Sequence, residues 1–154
     1  MRTGWGIIDI HGAAMHHVAH GTIFPPKNIA FEKRLQYLHD HLSNVLQQYQ
    51  PTEAAVEETF VNNNPSSTLK LGMARGVVML VPAQEGLKVS EYSANRVKKT
   101  VVGVGHATKD QVLTMVQRLL PRSQCKDLDA ADALAVAICH SQFSATQQKW
   151  GISL

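Results

Sequence analysis

Asp129 and Asp132 stand three residues apart in an alanine-rich segment that reads as a helix, so both carboxylates fall on one face, within reach of a shared cation. A third acid arrives from elsewhere: the short apolar run Ala54-Ala55-Val56 reads as a strand and delivers Glu57-Glu58 to its end. Successive strand side chains point to opposite faces, so one of the two glutamates enters a given site, and the strand pattern does not choose between them. Carboxylates converging from a strand end and a helix suit Mg²⁺, a hard ion that takes oxygen ligands and keeps part of its water shell. The plainer account of Asp-x-x-Asp near a helix start is capping, helped by the attraction of acids to the helix N-terminus. Against it stand Ala130, Ala131, Ala133, Ala135 and Ala137. Side chains that small let a helix pack tightly on a sheet, and acids partly buried in such a contact need partners or a metal.

Cations gather on other segments, at Arg96, Lys98, Lys99, Lys109 and Arg118. A basic rim beside an acidic pocket is the charge layout of a metal-dependent nuclease, in which cations hold phosphates and carboxylates hold the metal. The ordinary alternative is a solvated charged surface. Phe60 follows the acidic strand end in the polar stretch before Asn62-Asn63-Asn64, where an exposed ring could stack on an unpaired base or a core ring could sit. The histidines His11, His16, His17 and His20 lack compact metal-ligand spacing and read as ordinary surface or core residues. Gly103-Val104-Gly105 is a fragment of a phosphate-cradling fingerprint without its third glycine and reads as a loop. Cys125 and Cys139 have no second pair, which supports neither a disulfide framework nor a zinc cluster.

These groups must be positioned by a chain of 154 residues, 44% hydrophobic and 18% charged, which is enough for one buried core and too apolar for a disordered tail. No apolar run approaches the roughly 20 residues of a membrane-spanning helix. The first residues show no secretory leader, so a soluble cytoplasmic protein is expected. The net charge of +3, from 15 Lys+Arg against 12 Asp+Glu, leans only mildly toward a polyanionic partner. Segments Trp5 to Ile10 and Met15 to Phe24 flank His11-Gly12-Ala13-Ala14 and predict an antiparallel hairpin. Asn28 is the expected cap of an amphipathic helix carrying Phe31, Leu35, Leu38, Leu42 and Leu46, closed by Pro51. Asn64 and Pro65 open a second helix, in which Gly72 and Gly76 weaken helix propensity and suggest close packing or an interface. Leu87 to Tyr92 alternates like a strand, Ser93 to Val101 reads as a short basic helix, and Thr108 with Gln111 forms a capping box for a third long helix that Pro121 ends. The last helix begins around Asp127 to Asp129. With no repeat and no linker, the economical reading is one α/β domain over 1–154, a mixed sheet flanked by helices in an RNase H-like order, with about 142–154 a frayed tail.

The segments Ala55-Val56-Glu57-Glu58-Thr59-Phe60, Leu69 to Gly76, Arg96 to Gly103 and Asp129-Ala130-Ala131-Asp132-Ala133-Leu134-Ala135 closely resemble the bacterial RuvC family of Holliday-junction resolvases, in order and spacing, from Thr3-Gly4-Trp5-Gly6 to about His140. The resemblance implies an RNase H-like fold, a homodimer, a branch-migration motor as partner, and Mg²⁺-dependent nicks, with two ions per site, placed symmetrically across a four-way DNA junction. By position, Glu57, Asp129 and Asp132 match the family's metal-binding carboxylates, which selects Glu57 over Glu58. Lys98 and Lys109 match basic residues near the scissile strand, and Phe60 matches the aromatic that contacts junction DNA. The family also places an Asp, in a Gly-Ile-Asp-Pro-Gly signature, on a central first strand just ahead of the Thr3 segment, which this chain does not carry. The expected activity is therefore junction cleavage, with a catalytically incomplete junction-binding protein as the alternative.

Overall fold

In the computed structural model, which describes residues 1–59 and 63–150 and the side chains of 145–150 not at all, the chain opens with β1 (Thr3–His11) and β2 (Ala14–Ile23). They pair antiparallel from Thr3↔Ile23 to His11↔Ala14, and the register slips between Ile7 and Ile8, which face Ala19 and His17. Val18 is the extra residue of that bulge. The tight turn needs Gly12 at φ +63, a conformation that a side chain would oppose.

Helix α1 (Phe31–Tyr49) is the amphipathic helix expected, but its N-cap is Ala30, with no side-chain cap bond. Asn28 does not cap it: Lys27 to Ile29 form a turn, and the first intrahelical bond runs from Arg34 N–H to the Ala30 carbonyl. Its C-terminal end is made by Gln50 in the left-handed region, just before Pro51. Strand β3 (Glu53–Glu57) leads to α2 (Pro65–Gln84), whose Asn64 cap accepts from Ser67 N–H at 3.1 Å, with Pro65 preset for the first turn. β4 (Lys88–Tyr92) returns parallel to β3, so that Glu57 lies opposite Tyr92. Then come α3 (Ala94–Val102), capped by Ser93 and stopped by Gly103 at φ 98, and α4 (Lys109–Leu119), which has the full Thr108–Gln111 capping box. A single 3-10 turn, Pro121–Ser123, precedes α5 (Leu128–Trp150).

α5 is the element that joins the rest. Ala130, Ala131, Leu134, Ala135, Ile138 and Cys139 are buried on it against Val97 and Val101 of α3 and Val112 and Val116 of α4. Its alanines let backbone come close: a Cβ on Gly4 of β1 would stand 1.9 Å from the Asp129 carbonyl oxygen, and one on Gly6 would meet Leu134. A second cluster, Ile23, Leu38 and Ala74 with Trp5, Leu35, Val77 and Val78, seats α1 and α2 against the hairpin. The strands do not form one mixed sheet: among the described residues, β1–β2 and β3–β4 are two separate sheets, both in contact with α5. α5 also runs past residue 142, where fraying was expected, because Phe143 stacks on Tyr92 and Ser144 donates to the Glu53 carboxylate at 3.2 Å. Cys125 and Cys139 are free and buried, and burial pushes both thiols up.

Candidate active site

The first turn of α5 is capped by Asp127, not by the two aspartates that follow it. Its Oδ1 accepts from the N–H groups of Asp129 and Ala130, both at 3.0 Å, and from the Thr22 hydroxyl at 2.8 Å. Those bonds, the Ala130 amide first, and the Arg2 guanidinium hold its carboxyl below the usual range. With the cap filled, the side chains of Asp129 and Asp132 are released to face outward together, which answers the capping account of their spacing. Lys109, fixed at the first position of α4 by the capping box, spans them with Nζ 3.1 Å from Asp132 and 3.8 Å from Asp129.

Glu57 joins them from the end of β3. Burial pushes its carboxyl above the ordinary range, the Asp132 charge pushes it further, and Lys98 and Lys109 pull it back. Glu57 of β3 thus lies within electrostatic reach of three other expected site residues, Lys98 of α3, Lys109 of α4 and Asp132 of α5. The Lys109 ammonium is raised in turn, chiefly by its hydrogen bond to Asp132 and by that residue's charge. Glu58 follows the strand end, where its N–H donates to the Tyr92 carbonyl at 2.8 Å, and its side chain is exposed. Phe60 lies outside the described residues. Gly103 serves as the stop of α3, in keeping with the loop reading.

Two arginines complete the neighbourhood without any signal in the sequence. Arg2 straddles Asp127 and Asp129, with 2.7 Å contacts to each. Arg75 of α2 donates to the Glu57 carbonyl oxygen at 3.0 Å and pairs with Glu91 of β4, so the strand end that carries Glu57 is tied to both neighbours. The histidines remain on the hairpin, as the pairs His11–Asp9 and His17–His20, each at 2.8 Å. Among the described residues no three His, Cys, Asp or Glu side chains stand ready to hold an ion as they are placed. The donor set at the mouth of α5 nevertheless fits a hard cation, since it is oxygen alone and Lys109 already fills the space between two carboxylates with positive charge.

The profile described as Crossover junction endodeoxyribonuclease RuvC matches residues 1–140. The chain belongs to the RuvC family. The RuvC of Paramagnetospirillum magneticum is 58% identical over 147 residues, covering 96% of this chain and 89% of that one. That of Azorhizobium caulinodans is 59% identical over 140 residues, 91% and 83% of the two chains. Among solved structures, Thermus thermophilus RuvC superposes with a TM-score of 0.82 at 26% identity, over 94% of this chain and 90% of the other. The same organism's RuvC in complex with Holliday junction substrate gives 0.84 at 28%, over 93% and 88%. This RuvC-family chain therefore has the RNase H-like fold expected of it, with its strands divided between two small sheets.

Proposed function

We propose that this chain is a structure-specific endonuclease that resolves four-way DNA junctions by symmetric nicking, with Glu57, Asp129 and Asp132 as the residues that hold Mg²⁺, two ions per site. The observation that carries the reading is the meeting of acids from two elements 75 positions apart, Glu57 and Asp132, at Lys109, whose Nζ lies 3.1 Å from Asp132, with the Asp132 charge and Lys98 both acting on Glu57. A carboxylate whose proton affinity is raised by burial and by a neighbouring acid gains from a shared cation. Bound there, Mg²⁺ supplies Lewis-acid stabilisation of the phosphate oxygens and eases deprotonation of the attacking water.

The chain's own groups do the rest. Asp129 and Asp132 present their carboxylates from a capped helix start, and the cations that hold them in the free protein, Arg2 and Lys109, give way when metal and substrate arrive. Lys98 offsets negative charge on the scissile phosphate. Lys109, which spans the two aspartates in the free protein, exchanges those contacts for the DNA backbone. Phe60 is the residue assigned to base stacking at the junction.

A homodimer suits a junction with near two-fold symmetry, each subunit meeting an equivalent strand. The seat we assign is α2, where Leu69, Gly72, Met73, Gly76 and Leu80 fall on one face. Leu69 is 62% exposed and Leu80 52%, and a Cβ on either glycine would meet nothing, so the stripe is open to a second helix. A branch-migration motor that delivers junctions, and a cytoplasmic setting, belong to the same reading. No described helix is long and apolar enough to cross a membrane.

Asp132→Asn tests the assignment: Mg²⁺-dependent nicking of a synthetic four-way junction is abolished while junction binding is retained. Unchanged nicking removes Asp132 from the site. The second reading, a junction-binding protein without cleavage, is favoured by the engagement of Asp129 with both Arg2 and Lys109, which leaves no ready ion site among the described residues. Tight junction binding with no nicking at any Mg²⁺ concentration would decide for it.

A further inference from the structure

We propose a second phosphate-binding surface, formed by Arg96 and Lys99 of α3 against Phe143 of α5, which holds the DNA backbone beyond the scissile phosphate. It rests on the junction-nuclease reading for its setting and on its own residues for its chemistry. Val97 and Val101 turn inward from α3, so the cations at 96, 98 and 99 are spread round its outer side. Lys98 lies on the flank that acts on Glu57. Arg96 lies nearly opposite, and Lys99 occupies the crest between them.

The Arg96 guanidinium sits 4.2 Å over the Phe143 ring, and that ring stacks on Tyr92 with centroids 5.8 Å apart. Tyr92 is itself buried, and its hydroxyl meets His140 Nδ1 at 2.9 Å. The guanidinium is therefore seated on a ring that is itself held by a second ring anchored in the core. Among the described residues neither Arg96 nor Lys99 makes an ion pair. The two line an open concavity of about 380 Å³ with Thr100, Gln142 and Phe143, and no acid is in that lining. A stacked, unpaired guanidinium presents a bidentate fork that matches phosphate, and the nearby ammonium adds a point charge.

The spacing suits a single nucleic-acid strand. A helix with its side chains is about 10–12 Å across, and one strand carries a phosphate about every 3.4 Å along the duplex axis. A backbone held at Lys98 and drawn over α3 thus reaches the Arg96–Lys99 concavity within a few phosphates. The width of the basic helix sets the offset between the cut phosphate and the second contact.

The test is fluorescence anisotropy of the full chain, without divalent ions, on a labelled four-way junction and on a linear duplex built from its arms, across a salt series. Each phosphate contact contributes about 0.9 to the slope of log K against log salt. Arg96→Gln with Lys99→Gln is expected to flatten the slope by about 1.8, while Lys33→Gln on α1 leaves it unchanged. Arg96→Lys should keep the slope but weaken binding, because the charge remains and the stacked fork is lost. A junction-selective wild type whose slope the double variant does not alter overturns the second surface alone. A wild type that binds junction and duplex equally, with the slope flattened in the double variant, keeps the surface and overturns the junction reading. Binding to neither DNA overturns both.

Discussion

Lys98 and Lys109 both act on Glu57, yet they are set to do different work. Lys109 is held by Asp132 at 3.1 Å, whereas Lys98 makes no ion pair among the described residues. Lys98→Ala is expected to slow junction nicking far more than it weakens junction binding, which single-turnover rates beside Kd would show; equal losses would make it a plain phosphate anchor. Glu57 carries a pH signature as well. Its folded-state proton affinity is raised, so its contribution to stability is fullest at acid pH and is lost as pH climbs from the ordinary carboxylate value through the raised one. Glu57→Gln has no such loss. The variant should gain on the wild type in urea-unfolding midpoint over that window, and a constant difference across it would place Glu57 in open water.

At the scale of the element, the decisive contact is the first turn of α5 against β1. Asp127→Ala removes the cap and should cost about 1 kcal/mol. Asp127 is held below its usual range, so its contribution is present above the ordinary carboxylate value and disappears as pH falls through the lowered one; wild type and variant should converge in acid. Gly4→Ala forces a methyl group into the Asp129 carbonyl, and overpacking of this kind costs about 1–3 kcal/mol. Thermal unfolding measures it, and an unchanged midpoint would mean that β1 shifts freely. The local stop and start signals were legible because they are local: Asn64 and Thr108 each cap as their spacing says, while Ser93, read as the first residue of α3, proves to be its cap. Asn28 failed because the turn at 27–29 uses up the residues that would have begun the helix, and propensity for a cap does not fix which residue enters it.

For the whole molecule, the question is how two sites are brought to one junction. With α2 as the seat of a homodimer, Met73→Glu buries a charge in the open apolar stripe, and sedimentation should show monomers where the wild type sediments as a dimer. Paired nicks should then become independent single nicks, since each subunit would meet its strand alone. Retained dimers would move the interface off α2. The concentration of basic side chains on α3 and the start of α4, on either side of the carboxylates, gives each subunit a track for backbone without any large net charge on the protein.

The sequence alone carried the order of elements, the caps of α2 and α4, the pairing of Asp129 with Asp132 on a tight alanine-rich helix, and the family, because these rest on spacing within short segments. Glu57 over Glu58 came only through the resemblance; the register of β3 on β4 sets Glu57 opposite Tyr92 and ends the ladder with the Glu58 amide on the Tyr92 carbonyl. The tertiary structure alone decided that Asp127 takes the cap, that Arg2 reaches α5 from 125 positions away, and that Arg75 holds the strand end under Glu57. It also divided the strands between two sheets bound through one helix. Such contacts depend on where distant segments meet in the packed chain, and a meeting of that kind leaves no periodicity for a sequence to display.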